Sequence, residues 1–189
     1  LAAQGHTVVC VDDDPDMLSE LARAAQSAGH DEHIRRERAD LRTLALGQTF
    51  ELVLLPMNTL QAFLTREDQI DVLRAVRRHL RRDGEFVFDV VMADLDQLAQ
   101  LVGVVQPGPV VEHDARELTH QARFDQVDTA TGTVRFTLLI GERVGATTTR
   151  FARPHTVHLF TPSELWELLA QAGLEVRAVY GDFAGGQLE

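Results

Sequence analysis

The feature that most restricts the fold is an apolar run from His6 to Val11, nearly continuous and rich in β-branched side chains, that stops at Asp12-Asp13-Asp14-Pro15. A strand apolar on both faces must be covered on both, which is the situation of a parallel sheet between layers of helix. The acids that end the run suit the start of a helix, where carboxylates meet the positive end of the helix dipole. Leu18, Leu21, Ala22 and Ala25 then recur at helical spacing, and Gly29 is the expected stop.

The alternation continues along the chain. His33 to Glu37 reads as a second, more polar strand, and Phe50 to Leu55 as a buried strand ended by Pro56. Thr65-Arg66-Glu67-Asp68 resembles a capping box with Asp in place of Glu or Gln, and the helix behind it carries Ile70, Leu73, Val76 and Leu80 on one stripe. Arg81-Arg82-Asp83-Gly84 reads as a turn before a strand from Glu85 to Met92. Strands alternating with helices in this way predict an α/β fold: a Rossmann-like parallel sheet with helices on both faces.

After Gln100 the rhythm changes. Val110 to Asp125, Gly132 to Val144 and Thr147 to Phe160 are long β-branched or alternating stretches, read as two or three antiparallel strands inserted before the last helix. Thr161-Pro162-Ser163-Glu164 is the sharpest helix start in the chain. Its helix is expected to bury Leu165, Leu168, Leu169 and Ala172, and Leu174 to Tyr180 to form a further strand. Leu1 to Gly5 reads as the last turn of a helix, so the chain is expected to be a piece of a longer domain, without its first and last strands.

Composition narrows the function classes. The 189 residues suit one domain with an inserted subdomain, and 44% hydrophobic with 25% charged residues is the balance of a globular protein. No apolar run approaches the roughly 20 residues that cross a bilayer. The opening residues carry no export signal and Cys10 is the single cysteine, so a cytoplasmic setting is expected. A net charge of -11 argues against nucleic acid as a partner. His30 and His33, beside Asp31 and Glu32, read as solvated, and no metal site is expected.

The acidic strand end admits two readings. Receiver domains of phosphorelays open with a strand ending in paired aspartates that hold magnesium. Here the position of their phospho-accepting aspartate is Pro56, and all 18 basic residues are arginine, so the lysine that neutralises the phosphoryl group is lacking. The other reading explains more of the chain. From Leu1 to near the end, the order of segments resembles that of the class I S-adenosylmethionine (SAM)-dependent methyltransferases, of the small-molecule type. REDQIDVLRAVRRHLRRDGEFVFDV is similar to the family's helix, turn and fifth strand, and LFTPSELWELLAQAGLEVRAVYGDF to its last helix and strand.

The resemblance implies a cofactor, SAM, and residues that hold it. Asp12 would accept hydrogen bonds from both ribose hydroxyls, with Asp13 in the loop beside the adenine. Asp40 would accept from the adenine amino group, while the backbone N–H of Leu41 meets a ring nitrogen. Met57 would pack on the adenine and Asn58 would face the acceptor. His155 and His158 are the candidate catalytic bases, with His113 and His120 behind them. Trp166, Tyr180 and Phe160 are candidate pocket residues, Trp166 being expected in the core. The implied layout is a SAM-binding core over 1–100, an inserted lid over 101–160, and a closing helix and strand over 161–189. The expected reaction is methyl transfer to a small-molecule nitrogen or oxygen. A nicotinamide-dinucleotide oxidoreductase fragment and a non-catalytic module of the same fold are the alternatives.

Overall fold

The computed structural model describes residues 1–113 and 116–187. After a short helical turn at Ala2–Gln4, Gly5 takes a left-handed φ of 84° and the chain enters β1 (Val8–Asp12). Asp14 caps α1 (Pro15–Ser27) by accepting from the backbone N–H of Asp16 at 2.8 Å, and β2 (Ile34–Arg38) then pairs with β1 in parallel. A second parallel ladder joins β3 (Phe50–Leu55) to β4 (Leu80–Phe88) through α2 (Arg66–His79). The two ladders are not hydrogen-bonded to each other among the described residues. A guanidinium connects them: Arg42, after β2, reaches Asp68 in the first turn of α2 at 3.0 Å.

The expected turn at Arg81 to Gly84 lies inside β4 instead. Phe50 pairs with Leu80 and Leu52 with Glu85, so the intervening residues of β4 form an outward bulge in an otherwise continuous strand. Gly84 is required there, because a Cβ at that position would meet the Phe50 carbonyl oxygen at 2.9 Å. The capping box at Thr65 also differs from expectation. Asp68 donates its N–H to Thr65 Oγ1, but its carboxylate receives that hydroxyl and Arg42 rather than reaching back to the backbone of Thr65.

The core lies where β3 and β4 meet α2 and α4 (Pro162–Gln171). Leu55, Leu60, Val72, Leu73, Phe160 and Leu168 are fully or almost fully buried in it. The α4 stripe is as expected, with Leu165, Leu168, Leu169 and Ala172 all inside. Trp166 instead lies on the outer face of α4 and is 38% exposed. Leu174 to Tyr180 forms no ladder: Leu174 packs on the core, Arg177 pairs with Glu85, and Val176, Val179 and Tyr180 are exposed. An extended segment becomes a strand only when a neighbouring edge takes its hydrogen bonds.

The stretches after Gln100 fold as an antiparallel sheet of four strands in the order β5 (Val105–His113), β6 (Arg116–Asp128), β7 (Thr133–Val144) and β8 (Thr147–His158). A short helix, α3 (Leu95–Gln100), precedes them. The stretch expected as one strand, Val110 to Asp125, thus divides between β5 and β6, and the division falls at residues outside the described set. No helix among the described residues is long and apolar enough to cross a membrane.

Candidate functional site

In each ladder the strands are parallel, so their C-terminal ends share one edge, and at such edges open α/β sheets bind ligands. Asp12 ends β1. Its Oδ1 accepts from the N–H of Asp14 at 2.9 Å, and its carbonyl accepts from Ala39 just beyond β2. Asp13 is exposed and takes Arg38 Nε on its carbonyl, so its carboxylate is free of that cation. Asp14, by contrast, is committed to capping α1.

Asp40 is held quite differently from Asp12. It caps the turn Leu41–Thr43, and Arg42 lies across its carboxylate, with Nε 3.0 Å from both oxygens and a terminal nitrogen 2.6 Å from Oδ2. These hydrogen bonds from Arg42 hold the Asp40 carboxyl below its ordinary pKa. Leu41 packs against the core, and its N–H, at the first position of the turn, has no partner within that turn.

Beyond β3 the backbone is strained. Met57 and Asn58 both take left-handed φ values, 63° and 56°, which for residues other than glycine cost about 1–3 kcal/mol each. Three hydrogen bonds hold the turn in place. Asn58 N–H donates to Asp89 Oδ2 at 3.1 Å, Gln61 N–H to the Asn58 carbonyl at 2.9 Å, and the Thr59 hydroxyl to the Pro56 carbonyl at 2.5 Å. The Met57 side chain is 85% exposed.

Asp89, the first residue after β4, is half-buried, and among the described residues no arginine or histidine pairs with it. Two residues on, the chain is gripped by Gln61, which is 1% exposed. The Gln61 amide accepts from Val91 N–H at 2.8 Å and donates to the carbonyls of Val91 at 3.0 Å and His158 at 3.1 Å. One buried side chain thereby joins the strained turn, the segment after β4 and the end of β8.

The two candidate histidines are placed unequally. His158 is buried; its Nε2 lies 2.8 Å from Glu164 Oε1 and its ring meets Phe160 edge-on at 4.9 Å. His155 is exposed and stacks on Phe136 across the ladder at 5.3 Å. His158 therefore neighbours the turn through its backbone, which Gln61 holds, while its imidazole is committed to α4. The side chain of His113 lies outside the described set. Asp89 and Gln61 were not singled out from the sequence; the carboxylate that directly ends Glu85-Phe86-Val87-Phe88 was the available signal for Asp89.

The donors and acceptors at this edge fit a nucleoside that carries a ribose diol. Asp12 is half-buried, one of its oxygens is engaged by a backbone N–H, and among the described residues no cation neutralises it. Its second oxygen can receive hydroxyl hydrogens. Met57, on the strained turn beyond β3, presents an exposed apolar side chain.

The family model described as "Methyltransferase domain" matches residues 1–84. The cypemycin N-terminal methyltransferase of a Streptomyces species is 30% identical over 196 residues, covering 98% of this chain and 70% of that protein. Among solved structures, the CcbJ methyltransferase of Streptomyces caelestis superposes with a TM-score of 0.81 at 23% identity, over 100% of this chain and 72% of that one. SAM-bound CalS10, an amino pentose methyltransferase from Micromonospora echinaspora, gives 0.73 at 21% identity, over 96% and 71%.

Proposed function

Because the chain belongs to the class I SAM-dependent methyltransferases, we propose that it transfers the methyl group of SAM to the nitrogen of an amine on a small molecule or peptide. The relatives give the reading its direction, since one is named as the N-terminal methyltransferase of cypemycin and another as an amino pentose methyltransferase. The observation that carries it is the carboxylate of Asp89, which no cation pairs among the described residues and which is held beside the strained turn Met57-Asn58 at the C-terminal end of the β3–β4 ladder. Membership in the family sets aside a nicotinamide-dinucleotide oxidoreductase.

SAM supplies a methyl carbon bound to a positively charged sulfur that leaves as a neutral thioether. The chain's own residues bind and orient. Asp12 accepts from the ribose hydroxyls, with Asp13 beside it; the Leu41 N–H and Asp40 meet the adenine edge, and Met57 covers its face. Asp40 does so while Arg42 holds its carboxylate, so it contributes lone pairs rather than net charge. Asn58 presents its amide to the acceptor from the turn that Asp89 and Gln61 fix. In this layout residues 1–100 bind the cofactor, 101–160 cover the acceptor, and 161–189 close the core. His155, exposed on the inserted sheet, is the freer of the two histidines to move a proton, whereas His158 secures the sheet to α4.

The test uses radiolabelled SAM with tri-alanine, glucosamine, N-acetylated tri-alanine and catechol as acceptors. Label is expected on the two primary amines and not on the acetylated peptide. Label on catechol with none on either amine would overturn the reading in favour of oxygen.

A further inference from the structure

We propose that Asp89 is the ligand for the protonated amine of the acceptor and takes its proton; the assignment rests on the amine reading above. Four observations converge on this side chain. It stands at the end of β4, at the edge where the parallel ladder delivers its C-termini. It is half-buried, so its charge is less screened than that of a surface carboxylate. One oxygen, Oδ2, is already placed by the N–H of Asn58, which fixes the carboxylate against the residue proposed to face the acceptor. Nothing cationic among the described residues neutralises it.

The contrast with the other carboxylates at the two sheet edges is informative. Asp40 carries Arg42, Asp14 caps α1, and Asp94 caps α3 through the N–H groups of Asp96 and Gln97. Asp12 is uncommitted by cations but belongs to the ribose. Among the described residues, Asp89 is the carboxylate at the C-terminal ends of β3 and β4 with charge to offer, and a half-buried carboxylate is stabilised by a partner of opposite sign. An ammonium group satisfies that need and explains why an acid sits here. A neutral amide would have held the Asn58 N–H equally well.

The proton accounting is simple. An ammonium nitrogen has no lone pair, so it must lose a proton before it can bond to carbon. The N–H bond breaks, its electron pair stays on nitrogen, and the proton passes to Oδ1 of Asp89 and from there to water. The carboxylate is restored for the next acceptor.

Asp89→Asn separates this role from mere support of the turn, because the amide oxygen still accepts from Asn58 N–H while the charge is gone. With tri-alanine as the probe, Asp89→Asn is expected to raise KM for the peptide by roughly ten- to hundredfold, as losing a hydrogen bond to a charged group does. The calorimetric affinity for SAM should stay within about twofold, and tri-alanine binding in the presence of S-adenosylhomocysteine should weaken in parallel with KM. Asp89→Ala should show the same loss together with a lowered unfolding temperature, since the turn is released too. An unchanged KM in a folded Asp89→Asn protein that methylates tri-alanine overturns the assignment alone. A wild type that neither binds nor methylates tri-alanine or glucosamine overturns the amine reading and this assignment with it.

Discussion

The imidazole Nε2 of His158, the last residue of β8, lies 2.8 Å from Glu164 Oε1 in the first turn of α4. The pair anchors the inserted sheet to the closing helix, with the ring edge against Phe160. Glu164→Ala leaves a buried ring nitrogen without its partner, and an unfolding free energy lower by about 1–3 kcal/mol is expected in urea. Loss of methyl transfer without loss of stability would return His158 to the reacting atoms.

Asp12→Ala removes both carboxylate oxygens from the end of β1. SAM affinity is expected to fall by roughly 1–3 kcal/mol, from the loss of charge-assisted hydrogen bonds to the ribose. Titration calorimetry measures this directly, and an unaltered dissociation constant would take Asp12 out of the site.

Gln61→Leu is nearly isosteric but strips three hydrogen bonds at once. The His158 carbonyl is then left in a buried setting, and the Val91 N–H and carbonyl in a part-buried one. A destabilisation of about 1–3 kcal/mol is expected, chiefly from the unmet His158 carbonyl. Faster hydrogen exchange in β8 than in α2 would show that the sheet has come loose locally.

Leu168→Ala truncates a fully buried side chain where α4 meets the core. A loss of about 3–5 kcal/mol is expected in urea, the transfer and cavity costs together.

Acid should act on the Arg42 clamp. Hydrogen bonds from Arg42 hold the Asp40 and Asp68 carboxyls below their ordinary values. A depressed folded pKa means that the unfolded chain binds protons first. The clamp's contribution is therefore complete above the unfolded carboxylate value near pH 4 and drains as the pH falls through the lower folded values. Both acids are partly exposed, so the effect is screened in part. Arg42→Ala should flatten the fall of melting temperature below about pH 4, and high salt should flatten it in the wild type.

Much of this was written in local pattern. The positions of β1 and β3 and the stripes of α2 and α4 follow from apolar spacing, although β3, expected to be buried, leaves Leu52 and Leu54 exposed and buries only Leu55. The acid at the end of β1 was legible for the same reason: it stops a run that could not otherwise stop. What escaped depends on residues distant in sequence. Gly84 looks like a turn until Phe50 is known to lie against it. Leu174 to Tyr180 looks like a strand until it is found without a ladder. Asp40 looks available until Arg42 is seen lying across it. Asp89 and Gln61 gain their meaning only from Asn58 and His158, the latter 97 residues away from Gln61.

Gln61 also bears on how much change the inserted sheet can tolerate. Its two amide hydrogens and its oxygen are all committed, and its hydrogen bond to the inserted sheet goes to the main chain of His158. A carbonyl is present whatever side chain is attached to it. The far ends of β5 to β8 are therefore open to replacement, one chemistry for another, while the latch itself stays blind to the exchange.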